Sequence, residues 1–267
     1  MKYVSRIFVL SMVIVIGIGF AMPVNAAAKK RPVYVLTKGV MHMYADPDDE
    51  DDIDMDLKVT IKYKKDGTLS KAKISDMDGL YSMAYKYSGK KGLVKKQTNK
   101  LYALGIKMQS GTVKYKYTKK GYLKSATTYS GKKKKEKALY SWDANGNNTV
   151  VKRYNKKGKL TGATYYIYNA DGECTMYKEY KNGALSETTT VTDTSASTDV
   201  LKKYNADGSL KEISYRTISH GNPVAVTSYD ANGRKTSDIQ YYYKKIKTKY
   251  ANRIEAQQEA QGAFLNF

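Results

Sequence analysis

Tyr168-Asn169-Ala170-Asp171-Gly172-Glu173-Cys174 is a hairpin turn written out in full. An Asn opens a type I turn, two undemanding residues follow, and a Gly able to take φ > 0 closes it with a bulge. In that geometry the residue before the Asn stands opposite the residue two places after the Gly, so Tyr168 should face Cys174 across the ladder.

The same grammar recurs along the chain, reading from an aromatic residue to a glycine: Tyr63 to Gly67, Tyr87 to Gly92, Tyr117 to Gly121, Trp142 to Gly146, Tyr154 to Gly158, Tyr204 to Gly208 and Tyr229 to Gly233. The facing slots hold Leu69, Val94, Leu123, Leu160 and Leu210, with Asn148 and Lys235 as departures. At Tyr180 the loop shortens to Asn182-Gly183, a two-residue type I′ turn that still sets Tyr180 opposite Leu185. Between the turns, Leu57, Val59, Ile61 and Tyr63 alternate with Lys58, Thr60 and Lys62, the period of a half-buried strand. Tyr81, Met83, Tyr85 and Tyr87 repeat the pattern, as do Val113, Tyr115 and Tyr117. Ser186 to Asp199, rich in Ser and Thr, should begin as a strand and end as a loop. The expected fold is all-β: a long antiparallel meander of β-hairpin repeats, about 16 to 18 strands, curled or two-layered, with a short C-terminal helix.

Four segments follow from the same reading. Residues 1–26 have the basic start, apolar run and Val24-Asn25-Ala26 site of a secretory signal peptide, so the mature chain is expected to be secreted, with no transmembrane span after cleavage. Residues 27–56 should form an N-terminal hairpin, Val33 to Leu36 and Val40 to Tyr44 around Thr37-Lys38-Gly39, and an acidic loop. Residues 57–245 form the hairpin-repeat domain. Residues 246–267 are a tail in which Ala251 to Gln261 lacks Gly and Pro and should be helical.

The turns Tyr229-Asp230-Ala231-Asn232-Gly233 and Tyr204-Asn205-Ala206-Asp207-Gly208 resemble the YD repeats of the bacterial RHS family. That resemblance implies extracellular β-sheet, in that family often a large curled shell or a surface scaffold. Tyr165-Tyr166-Ile167-Tyr168-Asn169-Ala170-Asp171-Gly172 is similar, more weakly, to cell-wall-binding repeats, which hold choline or glucan on aromatic residues.

Charge narrows the function. Lys and Arg number 47 against 25 Asp and Glu, a formal +22, and removal of Lys2 and Arg6 with the signal lowers it to +20. Such a surface attracts polyanions. Lys90, Lys91, Lys95 and Lys96, and Lys132, Lys133, Lys134, Lys135 and Lys137, are the candidate contacts for an anionic cell-envelope polymer or acidic glycan. Nucleic acid would satisfy the same charges, but a secreted chain is not expected to meet it. The alternative is a tyrosine-based module for neutral glycans of the cell wall, given 26 Tyr against one Trp and four Phe.

No catalytic chemistry is expected. His42 and His220 lie apart and near no nucleophile motif, and Cys174, the single cysteine, occupies a core slot. Asp52, Asp54 and Asp56 open like a calcium loop, but Leu57 stands where Gly is needed and Tyr63 where Glu is, so a solvated acidic loop is expected, with no metal and no cofactor. The function expected is a secreted, non-catalytic β-repeat protein associated with the cell surface.

Overall fold

The turns fold as their residues dictate. In the computed structural model, which describes residues 30–49, 54–195 and 197–259, Asn169 donates its N–H to the Glu173 carbonyl at 2.9 Å and Gly172 donates to the Asn169 carbonyl at 3.1 Å. Gly172 has φ 84°, and Tyr168 pairs with Cys174. The same pairing joins Tyr63 to Leu69, Tyr117 to Leu123, Trp142 to Asn148, Tyr154 to Leu160, Tyr204 to Leu210 and Tyr229 to Lys235, and the short turn joins Tyr180 to Leu185. Tyr87 is the exception. Its hairpin closes on the two-residue turn Lys91-Gly92, so Gly89 pairs with Val94 and Tyr87 with Gln97.

Sixteen strands result: β1 (Arg31–Met43), β2 (Met55–Tyr63), β3 (Leu69–Asp76), β4 (Tyr81–Lys90), β5 (Leu93–Ala103), β6 (Ile106–Tyr117), β7 (Leu123–Ser130) and β8 (Lys133–Trp142). The chain continues through β9 (Asn148–Asn155), β10 (Leu160–Tyr168), β11 (Cys174–Lys181), β12 (Ala184–Ser195), β13 (Thr198–Asn205), β14 (Leu210–Ser219), β15 (Asn222–Asp230) and β16 (Lys235–Thr248), then α1 (Ala251–Glu259). Each strand pairs antiparallel with its sequence neighbours, and β1 pairs with β16 from Arg31 opposite Thr248 to Met43 opposite Ser237. The meander is therefore a closed barrel, neither curled open nor split into two layers. Closure satisfies both outer ladders at once and leaves the sheet no terminal strand. It also overturns the expected RHS/YD-repeat architecture, because the ring is complete within one chain rather than an extensible array of repeats.

Two local expectations are corrected. Arg31–Met43 is one continuous strand, not a hairpin: the register slips only between Leu36 and Lys38, a bulge that absorbs Thr37 while pairing with β16 continues. Ser186 to Asp199, expected to end as a loop, lies in β12 as far as Ser195 and resumes as β13 at Thr198. The signal-peptide expectation and the end of the tail fall outside the described residues.

The inner face explains the sequence alternation. Leu57, Val59 and Ile61 on β2, Met83, Tyr85 and Tyr87 on β4, Leu101, Tyr115 and Leu123, and Ile239 and Tyr241 on β16 form one buried cluster against Leu36 and Met41 of β1. From β9 to β15 the inner face is more polar. It holds Thr164, Thr189 and Ser214 with Ser228, whose hydroxyls meet at 2.8 Å, and a buried ion pair in which Arg216 grips Asp199 with Nε at 2.6 Å from Oδ1.

The helix packs on one end of the barrel, over β1 and the neighbouring turns. Ala251 and Ile254 pack on Val33 and Val35, and Arg31 reaches Asn252 and Glu255 through hydrogen bonds of 2.9 and 2.7 Å. The turn glycines of β2–β3 and β4–β5 lie directly beneath it: a Cβ on Gly67 would sit 2.4 Å from Ile254 Cδ1, and one on Gly92 would sit 2.9 Å from Tyr250 Cβ.

Candidate functional site

Strand parity decides where the predicted lysines go. Three strands separate the Lys91-Gly92 turn from the Gly131-Lys132 turn, so in an antiparallel meander they lie at opposite ends of the barrel. Lys90 and Lys91 are at the helix end, and Lys132, Lys133, Lys134 and Lys135 are at the far end. All of these are exposed, as are Lys95 and Lys96, whereas Lys137 is half-buried.

The outer face joins the two groups through a residue that neither contained. Lys96 on β5 pairs with Lys114 on β6, Lys114 with Thr127 on β7, and Thr127 with Lys137 on β8. At about 4.8 Å per strand, Lys96 and Lys137 lie roughly 14 Å apart along one row. A second row places Lys62 opposite Lys71 and Lys71 opposite Lys86. Lys58, Lys73, Lys100, Lys116 and Lys124 are exposed on the same strands. Like charges facing each other across a ladder cost on the order of 0.2–1 kcal/mol per pair, so the arrangement opposes the stability of the sheet that carries it.

Carboxylates are sparse on these strands, with Asp56 on β2, Asp76 at the end of β3 and Glu136 on β8. From Gly79 to Lys135 the chain contains sixteen lysines and no Asp or Glu, a signal visible in the sequence and more extensive than the two clusters singled out above. Among the described residues the ion pairs gather on β1, β12 to β16 and α1: Arg31 with Glu255, Lys211 with Glu187, Lys203 with Glu212 at 3.6 Å and Lys235 with Asp238. The acidic loop is held by the same side of the barrel. Asp48 meets Arg234 at 2.5 Å, and Asp56 meets His42 at 2.7 Å.

Tyrosines divide between the two faces. Tyr63, Tyr85, Tyr87, Tyr115, Tyr117, Tyr140, Tyr166, Tyr177, Tyr241 and Tyr243 line the inner face, and burial pushes every one of their hydroxyls above the ordinary phenol range, Tyr177 to about 12. Tyr165 with Tyr180, and Tyr215 with Tyr229, form edge-to-face pairs on the outside, with ring centroids 5.5 and 5.9 Å apart. The cross-turn pairs split in the same way. Those at the helix end, such as Tyr117 with Leu123, turn inward, and those at the far end, such as Tyr154 with Leu160, turn outward.

Cys174 is buried, and loss of hydration pushes its thiol up to about 11, so it is a core atom rather than a nucleophile. His220 sits at φ 52° in the β14–β15 turn, its ring stacked 4.7 Å from Tyr34. Among the described residues no helix is long and apolar enough to cross a membrane. The outer wall carries lysines at mid-strand where a membrane-spanning barrel carries an apolar band.

No protein-family model matches the chain, and no curated protein matches its sequence. Solved structures share a loose likeness. A porin-like protein from Bacteroides uniformis is 9% identical, with 78% of this chain and 98% of that one covered at a TM-score of 0.36. A porin-like protein from Bacteroides vulgatus is 11% identical, with 78% and 98% covered at 0.37. The TcdB2-TccC3-Cdc42 structure is 11% identical, with 82% of this chain and 15% of that one covered at 0.30. Likenesses at this level carry no argument about function.

Proposed function

We propose that this chain is a secreted, non-catalytic barrel protein retained in the cell envelope by an anionic polymer that binds the outer wall of β2 to β8. The supporting observation is the row Lys62, Lys71, Lys86 together with the row Lys96, Lys114, Lys137. Lys62 and Lys71, Lys71 and Lys86, and Lys96 and Lys114 are set directly opposite one another, with Lys137 following across Thr127, away from the described ion pairs. A negative polymer such as teichoic acid or an acidic glycan lying across the strands relieves that repulsion, and lysine suits it because a flexible point charge follows an irregular chain of anions.

The experiment is retention of the purified protein on cell walls as salt rises. Exposed charges are screened within about 3–10 Å between 1 and 0.1 M salt, so release by roughly 0.5 M is expected. The triple variant Lys71→Glu, Lys114→Glu, Lys137→Glu should elute at lower salt than the native chain. Retention unchanged in both tests defeats the reading.

A neutral-glycan reading draws on the outward pairs Tyr165 with Tyr180 and Tyr215 with Tyr229, which offer flat rings to a sugar face. Its mark is binding indifferent to salt and lost on Tyr165→Ala.

A further inference from the structure

The far end of the barrel carries a feature that the basic wall does not explain. β6 begins at Ile106, but its pairing with β7 begins only at Thr112, so residues 106–111 project past the neighbouring strand with that edge open. Residues Ile106 to Ser110 are all exposed, whichever face of the strand they occupy. The β3–β4 turn projects beside them, joined where the Leu104 N–H donates to the Leu80 carbonyl at 2.6 Å. Together the two tips expose Met77 (63%), Leu80 (46%), Leu104 (71%), Ile106 (66%) and Met108 (61%), an aliphatic knob at the rim of the barrel.

Leu104 sharpens the point. It holds φ 50° at the first position of a two-residue turn with Gly105, a left-handed conformation that Asn or Gly occupies at little cost and Leu does not. The equivalent position holds Asn182 between β11 and β12, Lys91 between β4 and β5 and His220 between β14 and β15, each polar where Leu104 is apolar. At 71% exposure in that conformation Leu104 buries little of its side chain within the protein, which leaves it available to an outside surface.

Charge selects the occupant. Lys107 lies within the knob, Lys100 on the strand that leads to it, and Lys132 in the β7–β8 turn with Lys133 to Lys135 at the start of β8 stand beside its open edge, with Lys96, Lys114 and Lys137 farther along the wall. The acidic groups at this end include Asp76, which accepts the Tyr81 N–H at 3.0 Å, the exposed Asp78, Asp56, whose carboxylate is taken up by His42 at 2.7 Å, and the β1–β2 loop, whose Asp46 and Asp48 turn to Arg234 in the β15–β16 turn, on the side of β1 away from the knob. A convex apolar tip backed by a broad cationic wall matches the two layers of a bilayer surface, acyl chains beneath anionic headgroups.

We infer that the knob formed by Met77, Leu80, Leu104, Ile106 and Met108 inserts into an anionic lipid surface, with the lysines of β5 to β8 against the headgroups. This goes beyond the polymer reading, although it draws on the same basic wall. The two separate by their salt dependence, because inserted side chains hold in salt and headgroup charges alone do not.

The test is sedimentation with phosphatidylcholine vesicles and with vesicles containing phosphatidylglycerol. The native chain should bind the anionic vesicles, and a fraction should stay bound in about 0.5 M salt. The variant Leu104→Asn, Ile106→Asn should lose at least about tenfold in vesicle affinity together with the salt-resistant fraction, while its salt-dependent retention on cell walls stays native. Asparagine accepts the left-handed turn at position 104, so the melting temperature should hold or rise. Vesicle binding equal to native in that variant overturns the inference. So does native binding wholly abolished by salt, or a dimer that forms through the knob in place of vesicle binding.

Discussion

Lys96 and Lys114 stand directly opposite each other on the outer face of β5 and β6. Their repulsion has a cost that a single change removes. Lys114→Glu turns the facing pair into an attractive one and should stabilise the barrel by about 0.2–1 kcal/mol while lowering affinity for a polyanion. Thermal melting and salt elution on the same variant check both directions. Loss of stability would mean that the lysines serve the sheet itself.

The inner tyrosines predict a sharp alkaline limit. A phenol whose folded pKa lies above its unfolded value of about 10 contributes stability that is fully present below pH 10 and is lost as pH climbs toward the folded value. The ten buried tyrosines named above share that sign, with Tyr177 at about 12. Unfolding should therefore be steep above about pH 10, and phenolate absorbance from these ten should appear together with the loss of β-sheet circular dichroism. Titration of all ten with the sheet intact would contradict their placement.

The Arg216–Asp199 pair lies inside the barrel, with side-chain exposures of 4% and 10%. Asp199→Ala leaves an arginine buried without its counter-ion, a loss of about 3–5 kcal/mol. The double variant Arg216→Met, Asp199→Leu should recover most of that loss, because both desolvated charges are gone. Urea midpoints of the three proteins provide the comparison.

Two glycines separate backbone strain from contact with α1. Gly158 has φ 82° and open space around it, so Gly158→Ala should cost about 1 kcal/mol from conformation alone. Gly67 has φ 83° and Ile254 against it, so Gly67→Ala should cost roughly 1–2 kcal/mol more and free the helix. At about 2–4 °C per kcal/mol for a domain of this size, the difference is readable by melting.

Much of the fold was legible locally. Tyr168 opposite Cys174, and the seven equivalent pairs, follow from turn chemistry that acts over a few residues. Closure was not legible, because Arg31 meets Thr248 only after the intervening strands have been laid down, and nothing in either segment names the other. Thr37-Lys38-Gly39 misled for a related reason: a Gly that marks a turn elsewhere here follows a bulge, and the long pairing with β16 overrides the local signal. The candidate lysines were found as clusters, but the row linking Lys96 to Lys137 passes through Lys114 on another strand, and cross-strand register is what brings them together.

The pairing of β1 with β16 makes the seam of the ring the last joint that a growing chain can close. Until the final strand emerges, β1 presents its whole β16-facing edge to water or to a stranger, Arg31 to Leu36 have no strand partner at all, and α1 cannot latch onto Val33 and Val35. A chain stopped short of residue 235 should therefore yield aggregate rather than a smaller barrel, which makes completion of synthesis the checkpoint for assembly.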